Sequence, residues 1–267
     1  MLVIIKDDYE AVSQEAARLV ADRLHKKPSL VLGLATGSTP LGLYRELIRM
    51  HADEGLDFSK VTTFNLDEYV GLPPDHPQSY HRFMRENFFD HINADPRFVH
   101  IPDGMVTEIE AHCQWYEAEI ERSGGIDLQV LGIGANGHIA FNEPGSSLGS
   151  RTRVKTLSRA TREDNARFFR SIDEVPRHAI TMGIGTILEA QDVLLMACGD
   201  QKAAAIQAAV EGPLTASAPA SMIQMHRNAF VIVDRAAASR LSDEHATALE
   251  EAVLFRRPIS GSHPDTA

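Results

Sequence analysis

The chain is poor in several features that mark particular classes of protein. It has two cysteines and one tryptophan among 267 residues. No apolar run approaches the roughly 18 residues of a membrane span. Cys113 and Cys198 fit no zinc-ligand spacing, so free thiols are the simpler interpretation. The start, MLVIIKDDYE, has acidic residues after a very short apolar run, unlike a signal peptide. We therefore predict a cytoplasmic protein with neither a membrane span nor a metal site.

Basic residues are scarce overall but concentrated in one stretch. Lys and Arg number 26 against 37 Asp and Glu, a net charge of −11. That balance argues against general nucleic-acid binding, since neutralising phosphates needs a basic surface. Residues 151–170 nevertheless carry seven basic side chains against Glu163 and Asp164: Arg151, Arg153, Lys155, Arg159, Arg162, Arg167 and Arg170. Such a cluster could bind a small anionic substrate or form a solvated helix face.

Apolar runs alternate with helical patterns along the chain. Candidate strands cover residues 2–5, 30–34, 61–66, 126–133, 179–182, 193–198 and 230–233. Several are continuous apolar runs, which indicates burial on both faces. We predict an α/β fold with a single doubly wound, mostly parallel sheet and helices on both faces, a three-layer Rossmann-like architecture. No linker composition divides residues 1–267, so one domain is predicted, ending in a polar helix and a Pro/Gly/Ser-containing tail.

The segment LGLATGSTP, residues 32–40, has the composition of a phosphate-binding turn. Gly37, Ser38 and Thr39 lie between a predicted strand and a helix that has Pro40 at its expected first position. Backbone N–H groups at a helix N-terminus attract phosphate. The Gly-Lys-Ser/Thr ending of a Walker A loop is absent. An ordinary strand-to-helix turn explains the same residues.

Two adjacent acids, Asp67 and Glu68, end the apolar run in TTFNLDEYVGLP. A general base needs a carboxylate whose pKa is raised toward the operating pH, and burial or a like-charged neighbour can raise it. The pair could equally be a helix cap or a surface pair.

The loop GIGANGHIAFNEPG, residues 132–145, brings Asn136, His138 and Glu143 within eight residues. Its glycines match the dinucleotide pattern GxGxxG, but Pro144 and Gly145 come too soon for a helix, and no acid follows at the required distance. We therefore predict no dinucleotide cofactor. His138 is a candidate acid/base near neutral pH, oriented by Glu143. A structural histidine is the alternative.

Three segments together resemble the glucosamine-6-phosphate deaminase family: FNLDEYVGLPPDHPQSY, GIGANGHIAFNEPGSSLGSRTRVKTL and GDQKAAAIQAAVEGP. The resemblance runs from the first strand to about Val233. It implies an enzyme of amino-sugar catabolism that converts glucosamine 6-phosphate and water to fructose 6-phosphate and ammonia. The reaction combines aldose–ketose isomerisation with deamination and uses no cofactor.

The resemblance also implies roles for individual residues. Asp67 takes the C2 proton and returns it at C1, while His138 moves the protons that open the sugar ring, supported by Glu143 and Asn136. Family members carry Asp or Asn at position 136, and Asn can orient the imidazole but cannot share charge. The implied phosphate ligands are Gly37, Ser38, Thr39, Arg167 and Lys202. Part of the basic segment, around residues 157–177, matches a mobile lid.

Regulation is less well defined by the resemblance. Allosteric members bind N-acetylglucosamine 6-phosphate between subunits of a hexamer, and the matching positions are Ser146, Ser147, Arg153 and Lys155. Those members also use a tyrosine near the C-terminus, whereas no tyrosine follows Tyr116 here. Other members are monomeric and unregulated, so the activator and a homohexamer both stay open.

Two other functions fit parts of the pattern. A 6-phosphogluconolactonase shares the phosphate turn and a GxGxDGHxA loop, but this chain has NGHIAFNEPG and the acid pair of FNLDEY instead. A non-catalytic sugar-phosphate sensor could lose Asp67, His138 or Glu143 and usually carries a basic DNA-binding domain. The chain keeps all three residues and has no such basic domain. The deaminase is therefore the favoured prediction, with a small sugar phosphate as partner.

Overall fold

A computed structural model describes residues 1–242, and the predicted C-terminal tail lies outside them. The strands are β1 (Leu2–Lys6), β2 (Val31–Leu34), β3 (Thr62–Asn65), β4 (Asp67–Tyr69), β5 (Val99–His100), β6 (Leu128–Leu131), β7 (Arg153–Thr156), β8 (His178–Thr181), β9 (Asp192–Ala197) and β10 (Ala229–Asp234). The helices are α1 (Tyr9–Lys26), α2 (Leu41–Glu54), α3 (Tyr80–Asn87), α4 (Ile109–Arg122), α5 (Arg159–Asn165), α6 (Ile184–Leu188) and α7 (Ala203–Val210). None of the helices within residues 1–242 is long and apolar enough to cross a membrane.

Seven strands form the main sheet in the order β1-β10-β9-β6-β2-β3-β5, and every pair is parallel. Strands β2, β6 and β9 are buried along their whole length. Their burial explains the continuous apolar runs in the sequence, because each face of such a strand is covered. The predicted mostly parallel α/β sheet is confirmed.

The direction of winding changes between the neighbouring strands β2 and β6. From β2 the chain continues to β3 and β5 on one side, and from β6 it continues to β9 and β10 on the other. Since crossovers between parallel strands are right-handed, the connections on the two sides cover opposite faces of the sheet. Doubly wound sheets bind ligands at this switch point, beyond the carboxyl ends of the strands. The turn with Gly37 follows β2, and the loop with His138 follows β6.

A second, three-stranded antiparallel sheet has the order β4-β8-β7 and corrects the expectation of a single sheet. Residues 179–182 were expected among the main strands, but β8 pairs with β4 and β7 instead. One residue, Leu66, separates β3 from β4, and its carbonyl accepts a hydrogen bond from the Met182 amide at 2.7 Å. The small sheet therefore continues directly from the carboxyl end of β3. An apolar run as short as β8 does not reveal which sheet it joins.

Local signals in the sequence located several helix starts. The sequence offers Asp7 or Asp8 as the cap of α1, and the structure selects Asp8, whose side chain accepts from the Ala11 amide at 2.8 Å. Ser79 caps α3 in the same way through the His81 amide. Pro40 precedes the first residue of α2, one position earlier than expected. Within residues 157–177, α5 is followed by two short 3-10 turns at 166–168 and 172–174.

Candidate active site

A pocket of about 200 Å³ lies where the β2, β3 and β6 loops converge. The predicted site residues that line it are Gly37, Ser38, Thr39, Asp67, His138, Arg167 and Lys202. A larger groove of about 830 Å³ borders α4, but none of the predicted site residues lines it. We therefore place the candidate active site in the smaller pocket.

His138 is oriented by the side chain of Asn136. The Nδ1 atom of His138 lies 2.7 Å from Oδ1 of Asn136, and the Asn136 amide nitrogen donates to Oε2 of Glu143 at 3.0 Å. Because the amide nitrogen faces Glu143, its oxygen faces the imidazole and accepts the Nδ1 proton. Nε2 is then the nitrogen that can accept a proton from a bound ligand.

Glu143 acts on the imidazole through Asn136, which refines the predicted direct contact. Its nearest oxygen lies 3.9 Å from Nδ1 of His138, too far for a hydrogen bond. The other oxygen, Oε1, accepts hydrogen bonds from the hydroxyls of Ser158 and Thr161 at the start of α5. These hydroxyls and His138 outweigh burial and lower the pKa of Glu143. Burial lowers the pKa of His138, while the negative charge of Glu143 opposes that shift. The imidazole is therefore held neutral beside an ionised carboxylate.

Two glycines of the apparent dinucleotide pattern shape the histidine loop. A Cβ added to Gly134 would lie 2.2 Å from the His138 ring, so the imidazole packs directly on the Gly134 backbone. Gly137 has φ +83°, a conformation that favours glycine. The loop also holds Ala140 at φ +50°, a strained value for a residue with a side chain. The glycines thus serve the placement of His138.

Asp67 and Glu68 form a buried carboxyl pair with unequal surroundings. Burial, followed by the charge of Glu68, raises the pKa of Asp67 to about 8. Glu68 is fully buried but accepts hydrogen bonds from the Ser79 hydroxyl and the Tyr69 amide, both at 2.7 Å. Burial raises the pKa of Glu68 as well, but these donors oppose that rise and favour ionisation of Glu68 before Asp67. Asp67 is consequently a carboxyl group poised to titrate near neutral pH.

A second group of residues that line the pocket is suited to an anion. Gly37 has φ +93° in the turn before α2, and the Tyr9 hydroxyl donates to the Ser38 carbonyl at 3.1 Å. This bond helps to fix the turn whose amides precede the helix. Burial lowers the pKa of Lys202, which faces the same space as Arg167. Together the turn and the two cations can hold a phosphate group.

The basic segment divides among several environments. Arg151 pairs with Glu117 and Glu189 at 2.8 and 2.6 Å. Arg162 donates to the carbonyls of Ile172 and Val175. Of the seven basic residues, Arg167 lines the pocket. The clustering in sequence therefore overstated the positive charge at the site.

The predicted regulatory residues lie outside the pocket. Arg153 and Lys155 are on β7, while Ser146 is buried and Ser147 exposed in the loop after Glu143. The Ser146 hydroxyl has no hydrogen-bond partner among the described residues. Arg153 donates to Oδ1 of Asn142 at 2.9 Å, next to Glu143. The group is thus adjacent to the histidine loop but separate from the pocket.

Sequence reasoning missed some lining residues. Tyr80, Thr161, Asp164 and Asn165 also face the pocket. Ser79 signalled that Tyr80 begins a helix, but nothing local connected that helix with Asp67. Neither Ser158 nor Thr161 was singled out from the sequence, and Asp164 was named only as one of two acidic residues within the basic stretch. Within residues 1–242, no group of three His, Cys, Asp or Glu side chains is arranged to hold a metal ion.

Comparisons with known proteins agree on one family. A family model described as glucosamine-6-phosphate isomerases/6-phosphogluconolactonase matches residues 6–232. A glucosamine-6-phosphate deaminase from Thermoanaerobacter sp. (strain X514) is 52% identical over 94% of this chain and 99% of its own length. One from Cellvibrio japonicus is 56% identical, covering 91% of this chain and 92% of the relative.

Solved structures give the same result. The structure of a monomeric glucosamine-6-phosphate deaminase is 50% identical, with a TM-score of 0.88 over 90% of this chain and 99% of that one. A 6-phosphogluconolactonase from Trypanosoma brucei has a TM-score of 0.73 at 19% identity, over 90% of this chain and 98% of that one. The second likeness extends to the fold alone.

Proposed function

The chain belongs to the glucosamine-6-phosphate isomerase/6-phosphogluconolactonase family, and from that premise we infer that it converts glucosamine 6-phosphate and water to fructose 6-phosphate and ammonia. Relatives that share about half of its residues carry the name of that deaminase. The structures named lactonases share about a fifth, which supports the common fold only. The deaminase is therefore preferred to the lactonase and to the sensor.

The observation that carries this function is the pairing of Asp67 with His138 in one pocket. A buried carboxyl with a pKa of about 8 stands beside a neutral imidazole whose Nε2 is free to accept a proton. Aldose–ketose isomerisation moves protons at an oxygen and at two adjacent carbons. A buried carboxyl with a raised pKa and an imidazole with a lowered pKa, each held in a different environment, suit that task.

We assign the proton transfers accordingly. Nε2 of His138 takes the proton from the sugar O1 hydroxyl and delivers one to the ring oxygen, which opens the pyranose. Ionised Asp67 then removes the C2 proton and returns it at C1, so that an enolamine becomes the ketose imine. Hydration of that imine releases ammonia. Asn136 and Glu143 keep the imidazole in the required tautomer and do not touch the substrate.

We assign phosphate binding to the turn at Gly37, Ser38 and Thr39, with Arg167 and Lys202 as counter-ions. We also propose that residues 157–177 form a lid over the bound sugar. The anchoring of α5 to Glu143 through Ser158 and Thr161 supports this, because it joins the segment to the catalytic loop. A lid excludes water from the enolamine and strengthens the electrostatic contacts beneath it.

Regulation and cellular role are further proposals. We propose that Ser146, Ser147, Arg153 and Lys155 bind the phosphate of N-acetylglucosamine 6-phosphate, and the buried unpartnered hydroxyl of Ser146 supports this. The proposed setting is N-acetylglucosamine utilisation in the cytoplasm. A homohexamer is the assembly that such a site implies, whereas a relative 50% identical to this chain is described as monomeric. Substrate saturation curves with and without N-acetylglucosamine 6-phosphate test the regulation, and the molecular mass of the protein in solution tests the hexamer. A hyperbolic curve that the ligand does not change, obtained with a monomeric protein, would remove both proposals.

The reaction itself is tested by product stoichiometry. Purified protein with glucosamine 6-phosphate, and no added metal or nucleotide, should release ammonia and fructose 6-phosphate in equal amounts. Asp67→Asn should abolish both products while phosphate-sugar binding persists, because the base acts only in the chemical step. Hydrolysis of 6-phosphogluconolactone without ammonia release would favour the lactonase, and no activity on either substrate would favour the sensor.

A further inference from the structure

Asp164 occupies a defined place in the pocket wall. Thr161 is buried and donates to Glu143, which fixes the orientation of α5 beside the histidine loop. Asp164 follows Thr161 by three residues and so lies on the same face of the helix, one turn further along. Both residues line the pocket that contains Asp67 and His138. The anchoring of the helix therefore directs Asp164 toward the pocket.

Asp164 is exposed, and it interacts with the charged groups of the pocket only at longer range. Within residues 1–242 it makes no ion pair within 4.0 Å and no side-chain hydrogen bond, although its charge reaches His138 and Lys202. The other acidic residue that lines the pocket is Asp67, which is buried. Asp164 is therefore the exposed carboxyl group of the pocket wall.

An unpaired carboxylate is unfavourable in a pocket that binds a phosphate dianion, since like charges repel at short range. It becomes favourable when the ligand also carries a positive charge. The pocket is lined by two cations, Arg167 and Lys202, and by the exposed carboxyl group of Asp164 in addition to the buried Asp67. A sugar phosphate with a protonated amine has the complementary set of charges.

We propose that Asp164 is a specificity-determining residue that binds the 2-ammonium group of the substrate and selects amino-sugar phosphates over hydroxy-sugar phosphates. The proposal rests on the proposed function for the identity of the substrate. Asp164 takes no part in the proton transfers assigned to Asp67 and His138. Its contribution is to recognition.

Binding of two unreactive ligands tests the proposal. The sugar alcohols made by reducing glucosamine 6-phosphate and glucose 6-phosphate differ only in an amine or a hydroxyl at C2. Their Kd values are measured by calorimetry at pH 7 for the unsubstituted protein, Asp164→Asn and the control Glu163→Gln. Glu163 lies on the same helix, pairs with Arg159 at 2.8 Å and does not line the pocket. The control therefore removes an equal charge from α5 without touching the ligand.

We expect the unsubstituted protein to bind the amine more tightly than the hydroxyl compound, and Asp164→Asn to reduce this preference about 10-fold. In that variant the hydroxyl compound should bind at least as tightly as before, because repulsion of its phosphate is relieved. Glu163→Gln should keep the full preference. Equal changes for both ligands in Asp164→Asn would overturn the proposal and leave only a general effect of charge. The readout requires no turnover, so a protein that binds selectively but releases no ammonia would refute the deaminase and not the role of Asp164.

Discussion

Substituting Asp67 by Asn should change activity and stability in opposite directions. The pKa of Asp67 rises from 3.8 to about 8 on folding, chiefly through burial. Between those pH values the unfolded chain releases the proton and the folded protein keeps it. The free energy of unfolding therefore falls as pH rises, by about 1.4 kcal/mol per pH unit, and stays level above pH 8. Asn does not titrate and avoids this loss.

The size of the effect follows from the width of that window. Over a window of about 4 pH units, the loss of unfolding free energy caused by Asp67 reaches at most about 6 kcal/mol at pH 8. At pH 5 this loss is no more than about 2 kcal/mol. We expect Asp67→Asn to exceed the unsubstituted protein in unfolding free energy by about 2 to 4 kcal/mol at pH 8, while its turnover is lost. Burial raises the pKa of the neighbouring Glu68 as well, and Asn at position 67 removes the carboxyl group with which Glu68 interacts, so the measured difference belongs to the pair.

Urea unfolding followed by circular dichroism at pH 5 and pH 8 measures this difference. Asp75→Asn supplies the control, because it makes the same substitution at an exposed position. The control should shift stability equally at both pH values. The reasoning is refuted if the difference in unfolding free energy between Asp67→Asn and the unsubstituted protein does not increase from pH 5 to pH 8. A variant less stable than the unsubstituted protein at pH 8 would also refute it.

Three further substitutions probe His138 and the residues assigned to phosphate binding. Gly134→Ala should lower kcat about 100-fold, because its Cβ would lie 2.2 Å from the His138 ring. The control Gly149→Ala places its Cβ in open space and should leave kcat within about 2-fold. Equal kcat values for the two variants would contradict the packing argument. Asn136→Asp should raise the pKa of His138 by placing a carboxylate against Nδ1, which an NMR titration of the imidazole measures, and a lower pKa would exclude the bridging role. Lys202→Met should raise KM about 10-fold to 100-fold with little change in kcat, and an unchanged KM would remove Lys202 from the phosphate site.

The sequence predicted best what depends on local patterns. Continuous apolar runs identified the buried strands of the main sheet, and Asp8 and Ser79 marked helix starts through their side-chain caps. The loops after β2 and β6 met at one pocket because their strands are neighbours in the sheet. That adjacency places Gly37 and His138 together, and the family resemblance had already implied both.

Features that depend on distant contacts escaped prediction. The small sheet arises from pairing of β4 with β8, which are more than a hundred residues apart, and neither strand is long enough to show a pattern. The path from Glu143 to His138 through Asn136 depends on which way an amide points. The role inferred for Asp164 depends on a helix orientation that is set by Thr161. In each case, a contact between residues distant in sequence or a side-chain rotamer decides the outcome.

The hydrogen bonds from α5 to Glu143 have a consequence for when chemistry can occur. Ser158 and Thr161 supply two of the donors that keep this carboxylate ionised, and the same carboxylate holds the amide that fixes the imidazole. If residues 157–177 move as the proposed lid, withdrawal of α5 would remove both hydroxyls from Glu143 and weaken the stabilisation of its ionised form. The proposed closure would then do more than cover the sugar, because it would also set the charge that acts on His138 through Glu143.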